Sequence, residues 1–207
     1  SITDNNRNSE TGYGAGVYLS NARLDMAGGT ISSNVSSYSS YIGYGGGIYA
    51  AGGNTVVQMS GGIITKNKAS GTYGGSGSSY SGYGSGIYMS GGVLEITGEA
   101  DISENTESGG YVYGGGVYIN SSVEMVMDGG KISNNLSSGS YTSYGGGIYN
   151  SGGKLTISGG VIEKNKKFYY GGGIYSTNGT FLMTDGTIQD NNGSLGGGIY
   201  LSGGSST

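Results

Sequence analysis

The sequence predicts an all-β fold, a right-handed parallel β-helix solenoid of about seven coils of roughly 21 residues, and three observations predict it. The motif Gly-x-Gly-(Ile/Val)-Tyr recurs seven times, its closing tyrosines being Tyr18, Tyr49, Tyr88, Tyr118, Tyr149, Tyr175 and Tyr200. Each of the first six copies is followed by a short apolar alternation and then by Ile-x-x-Asn. From the first Gly to that Asn the interval is nearly constant, at 20 to 22 residues, whereas from Asn to the next copy it varies between 5 and 17. A constant unit joined to a variable insert is the mark of a stacked coil, which buries its apolar face only against its neighbours.

Taken along one coil, the first element is the Gly-Ile-Tyr strand. The second is an apolar alternation of period two, the pattern of a strand with one buried face. Leu24, Met26 and Ile31 are matched by Val57, Met59 and Ile64, then by Leu94, Ile96 and Ile102. Met125, Met127 and Ile132 follow, then Leu155, Ile157 and Ile162, and Phe181, Met183 and Ile188. Gly-Gly pairs such as Gly28-Gly29 and Gly159-Gly160 interrupt the alternation, so the Ile before Asn reads as a third short strand. Parallel connections are right-handed in nearly all cases, which fixes the hand. At the spacing of paired strands, about 4.8 Å, seven units make a rod about 35 Å tall.

The column Asn5, Asn34, Asn67, Asn105, Asn135, Asn165 and Asn191 falls at the coil corner. Asn tolerates left-handed turn geometry, and its amide can bond the Asn above and below. Ile2-Thr3-Asp4-Asn5 copies Ile31-Ser32-Ser33-Asn34, so residues 1–207 read as one β-helix segment beginning and ending in mid-coil. The chain opens at Ser1 without a Met start, so the segment reads as part of a longer chain or of an end-to-end assembly through uncapped coils.

Composition narrows the function. Gly is 49 of 207 residues and Pro is 0, without the triplet period of collagen. Net charge is −4, and nine scattered Lys and Arg residues do not make a nucleic-acid surface. No apolar run approaches the length of a membrane span. Cys and His are both zero, which removes disulfides, thiol nucleophiles and the commonest base and zinc ligand. No cofactor, metal site or catalytic residue is expected, and the chain reads as a non-enzyme.

Tyrosine is abundant, at 20 residues. Beside the seven that close the motif, Tyr13, Tyr44, Tyr83, Tyr113, Tyr144 and Tyr170 precede the glycines, with Leu195 breaking that series. Both sets read as stacked ladders. The remaining seven, Tyr38, Tyr41, Tyr73, Tyr80, Tyr111, Tyr141 and Tyr169, lie in the inserts and are candidates for ligand or partner contact. Five of thirteen acids, Glu95, Glu99, Asp101, Glu104 and Glu107, fall in the third coil. That is where a polysaccharide lyase or hydrolase would have to assemble its carboxylates. The spacing instead sets Glu104 beside Lys66, Asp190 beside Lys164 and Asp101 beside Lys131, as surface pairs between coils.

The pairing of Gly-Gly-Gly-Ile-Tyr with Ile-x-x-Asn resembles the Gly-Gly-Ala-Ile and Phe-x-x-Asn repeats of chlamydial polymorphic outer-membrane proteins. It is similar, more widely, to the passenger repeats of autotransporter adhesins. Here Gly or Ser replaces Ala, Ile replaces Phe, Tyr is far more frequent, and no β-barrel translocator is present in the sequence. The resemblance implies an extracellular or cell-surface stalk or adhesin and does not imply a ligand. The expected function is a structural or adhesive rod, self-associating end to end into a filament. Glycan binding through the Tyr-rich inserts, on host or neighbouring cells, is the alternative, and a polysaccharide-cleaving enzyme the weaker one. An ice-binding helix would need a regular Thr array, and no Thr-x-Thr ladder is present.

Overall fold

A computed structural model describes residues 1–8, 12–38, 42–71, 81–166 and 168–206, and they form the expected right-handed parallel β-helix. The alternating sets form one eight-stranded sheet, whose full strands are Arg23–Ser32, Val56–Thr65, Gly92–Ser103, Val123–Ser133, Lys154–Glu163 and Thr180–Gln189. Ile2–Thr3 and Ser205–Ser206 flank them. The Gly-Ile-Tyr strands form a seven-stranded sheet running from Val17–Ser20 to Ile199–Ser202. Neighbours within each sheet pair in parallel.

Three strands per coil are present, but not the three the spacing predicted. The apolar alternation and the Ile before Asn belong to one strand of 10 to 12 residues, which crosses its glycine turn, Gly28-Gly29 in the first coil and Gly98-Glu99 in the third, through a register shift. A bulge bends a strand without ending it, so glycine here turns the chain inside the sheet. The third sheet comes from the inserts. Its outgoing limbs include Val35–Tyr38 and Lys68–Gly71, and its return limbs include Ile42–Tyr44 and Ser81–Tyr83. Thr106–Tyr113 and Leu136–Tyr144 run through both limbs without a break. The limbs lie against each other as a fin beside the coil, the Ser36 hydroxyl donating to the Gly12 carbonyl at 2.6 Å.

The core is a set of columns in strict register. Leu24, Val57, Leu94, Met125, Leu155 and Phe181 lie opposite one another, as do Ile31, Ile64, Ile102, Ile132, Ile162 and Ile188. The facing sheet contributes Val17, Ile48, Ile87, Val117, Ile148, Ile174 and Ile199. Members of these columns from the second to the fifth coil are fully buried or nearly so. In the outer coils the same positions open to solvent, and Ile2 is 39% exposed against 4% for Ile31. No helix is long and apolar enough to cross a membrane among the described residues.

Candidate functional site

Two features run the length of the coil stack, and both begin at the glycine corner. The first Gly of each motif has positive φ, 57° at Gly45, a conformation that an L side chain adopts only under strain. The third Gly faces inward. At Gly116 a Cβ would stand 2.7 Å from the Gly147 carbonyl oxygen and 2.8 Å from the Ile132 side chain. Between the tyrosine before the corner and the tyrosine after it the chain therefore carries only the core-packed Ile or Val, apart from Ala15 and Ser85 at the middle position of two coils.

Across that bare corner the two tyrosine columns meet. Tyr18, Tyr49, Tyr88, Tyr118, Tyr149, Tyr175 and Tyr200 stack with ring centroids 4.8–5.3 Å apart. Tyr13, Tyr44, Tyr83, Tyr113, Tyr144 and Tyr170 stack at 4.8–5.2 Å. Rings of the second set also meet rings of the first set one coil on, edge to face: Tyr44 with Tyr88 at 4.9 Å and Tyr83 with Tyr118 at 5.4 Å. The thirteen rings form one interlocked double column. The motif shows two ladders; that they touch depends on the tight corner and is not visible in spacing.

The ring faces of the double column are taken up by one another, so it offers a ligand mostly ring edges and hydroxyls. Tyr88 and Tyr118 are buried, whereas Tyr18 at the outermost coil is 55% exposed. Burial raises the Tyr44 hydroxyl to about 12, with the neighbouring phenols adding to it. The same cause raises Tyr88, Tyr113 and Tyr149 further.

The second feature is the asparagine column. Asn34, Asn67, Asn105, Asn135 and Asn165 are fully buried. Asn105 Nδ2 donates to Asn135 Oδ1 at 3.1 Å and to the Ile64 carbonyl at 3.0 Å, and Asn105 Oδ1 accepts from Asn67 N and Nδ2. The pattern continues from Asn5 to Asn191. The left-handed residue is not the Asn, however. It is the one before it: Asp4, Ser33, Lys66, Glu104, Asn134, Lys164 and Asp190, with φ of 53–58°. Asn is required as a two-sided hydrogen-bonding group, and the turn is taken by a neighbour of any type.

The insert tyrosines separate. Tyr41, Tyr73 and Tyr80 lie outside the described residues, and of Tyr38 only the backbone is described. Tyr141 and Tyr169 are exposed on the fin, at 64% and 46%. Tyr111 and Tyr141 approach at 5.6 Å between centroids, and Tyr169 packs edge-on against Tyr170 at 4.7 Å.

The third-coil acids do not converge. Glu104 stands at the corner, 3.7 Å from Lys66, as the spacing predicted. Asp101 lies opposite Lys131 in register, but the lysine ammonium turns to Glu163 at 2.8 Å. Lys164 likewise sits 3.7 Å from Glu163 and forms its ion pair there, in place of the expected Asp190. Lys131 and the Gln189 amide at 2.8 Å hold Glu163 well below the usual carboxylate range, at about 2. The longer reach of a lysine favours the carboxylate with the most donors over the one directly opposite.

Glu107 departs furthest from expectation, being buried and not on the surface. It fills the fin position held by Ser36, Ala69 and Ser137 in neighbouring coils, and it is fully buried. Neither carboxyl oxygen reaches hydrogen-bonding geometry with another group. Burial pushes this carboxyl well above the usual range, and the facing backbone of Ser85 and Gly84 offsets only part of that. A shallow groove of about 790 Å³ crosses the turns at Ser121, Gly152, Asn178 and Gly204, bridged by the Glu124–Lys154 ion pair at 2.6 Å. Among the described residues no three acids gather as a metal site.

No family model matches the chain, and no curated protein and no solved structure matches it. Of the likeness to outer-membrane and autotransporter repeats, the structure bears out the parallel β-helix.

Proposed function

We propose that this chain is a structural and adhesive rod of a cell surface. The observation that carries the reading is the continuity of its columns. Buried amides and stacked phenols are used in every coil for cohesion with the next, and they gather at no single place. A rod needs uniform cohesion; an enzyme needs one coil unlike the rest. The same reading has the apolar groups of the outer coils, Ile2, Leu195 and Leu201 among them, covered by a further coil, from a longer chain or a second copy. Negative-stain electron microscopy over a concentration series tests it. Rods or fibres of uniform width support it. Compact particles of varied shape, or cleavage of a polysaccharide by the purified chain, would refute it.

A glycan-binding reading is favoured by one specific observation, the exposed Tyr141 and Tyr169 on the fin. Binding on a glycan array that Tyr141→Ala and Tyr169→Ala both abolish would support it. An array with no signal would remove it.

A further inference from the structure

We propose that Tyr111 and Tyr141 form an oxidative cross-linking site, at which a peroxidase-class one-electron oxidant supplied with hydrogen peroxide staples one fin limb to the next. The proposal is independent of the rod's role. It begins with the local backbone. Gly109 pairs with Gly139, but Tyr111 pairs with Thr142, so the second strand carries one extra residue and Tyr141 sits at the resulting bulge. A bulge re-aims a side chain. Here it brings the Tyr141 ring to 5.6 Å from Tyr111, tilted at 49°.

That geometry distinguishes this pair from the stacked rungs; Tyr13 and Tyr49 are also tilted, at 45° and 4.7 Å, but Tyr13 is stacked on Tyr44, and Tyr49 on Tyr18 and Tyr88. Stacked ladder rings from Tyr44 to Tyr200 are within 18° of parallel, and each is wedged by an edge-on neighbour from the other column. Rings held face to face cannot swing their ortho carbons into a shared bond without dismantling the column. Tyr111 and Tyr141 are already tilted, Tyr111 is half-buried, and Tyr141 is 64% exposed and open to an oxidant.

The chemistry balances. Each phenol gives up one electron and one proton to become a phenoxyl radical. The radicals join through carbons ortho to the two oxygens, and the hydrogens on those carbons move to the oxygens as the rings regain aromaticity. The peroxide accepts the two electrons and two protons and leaves as two waters. The product closes a loop of 30 residues between adjacent coils. The chain has no cysteine with which to make such a link by disulfide.

The test is to treat the folded protein with peroxidase and hydrogen peroxide at several dilutions, with N-acetyltyrosine in a parallel tube to show that the oxidant is active. Peptide mapping then locates any link. The expected result is a concentration-independent loss of two hydrogens, the blue fluorescence of a dityrosine, and one cross-linked peptide pair containing Tyr111 and Tyr141. Both Tyr141→Phe and Tyr111→Phe should abolish it while leaving the circular dichroism of the rod unchanged. Links at ladder pairs, links only between molecules, a link that survives Tyr141→Phe, or no link at all would each overturn the proposal.

Discussion

Replacing Asn105 by Ala at the middle of the amide column should cost the rod about 4 kcal/mol of stability, at roughly 1 kcal/mol for each of four side-chain hydrogen bonds. The bonds removed are those from Asn105 Nδ2 to Asn135 Oδ1 and the Ile64 carbonyl, and those into Asn105 Oδ1 from Asn67 N and Nδ2. Water cannot replace them, because Asn67, Asn105 and Asn135 are fully buried. An independent count gives the same scale: stranding the Asn67 N–H and one acceptor costs about 1–3 kcal/mol each. Asn5→Ala is the control. Asn5 is exposed, and among the described residues its amide donates to the Thr3 carbonyl and to Asn34 Oδ1. Water takes over there, and the loss should be below about 1 kcal/mol. Urea unfolding followed by circular dichroism measures both variants. Hydrogen exchange at the Asn67 amide reports the local break without assuming a two-state transition. Equal losses for the two variants, or unchanged protection at Asn67, would refute the reasoning.

Other substitutions test separate features. Ser33→Gly should stabilise by about 1 kcal/mol in thermal unfolding, because it relieves a left-handed L residue at φ 57°. Gly116→Ala should destabilise by about 1–3 kcal/mol or more, since its Cβ meets the Gly147 carbonyl and the Ile132 side chain with no room to retreat. Glu163 is lowered in the folded state, so its contribution is complete above its ordinary value of 4.5 and disappears as pH falls through about 2. The thermal midpoints of wild type and Glu163→Gln should therefore converge on acidification across that window. Glu107 has the opposite sign: its carboxyl is raised, so the unfolded chain releases the proton first and the wild type loses stability as pH climbs above 4.5. Its midpoint should fall relative to Glu107→Gln with rising pH; a constant gap would show that the carboxyl is not held protonated.

The fold was legible because its columns are written in residue types that burial demands. Val57, Leu94 and Met125 differ in shape yet keep period two, and the structure places them opposite one another. The Asn column was legible for the same reason. Its left-handed partner was not, because Asp4, Ser33, Lys66, Glu104, Asn134, Lys164 and Asp190 share a backbone angle and no chemistry. The third sheet was hidden because backbone pairing in the fin makes little demand on side chains. Ser36, Ala69 and Ser137 look like loop residues and are buried strand residues. Glu107 gave no warning at all: one acid among five in a coil is distinguished only by what encloses it.

The glycine corners also set how the molecule would meet force. Successive corners are 25 to 39 residues apart along the chain, but only one strand spacing apart in height. Tension that peels an end coil breaks one set of contacts and releases about 30 residues, or about 100 Å of extended chain, from a layer about 4.8 Å thick. Each release leaves a new end coil closely like the last. A rod built in this way yields in similar steps, lengthening some twentyfold per layer lost, and it dissipates load as a ratchet of small failures instead of one rupture.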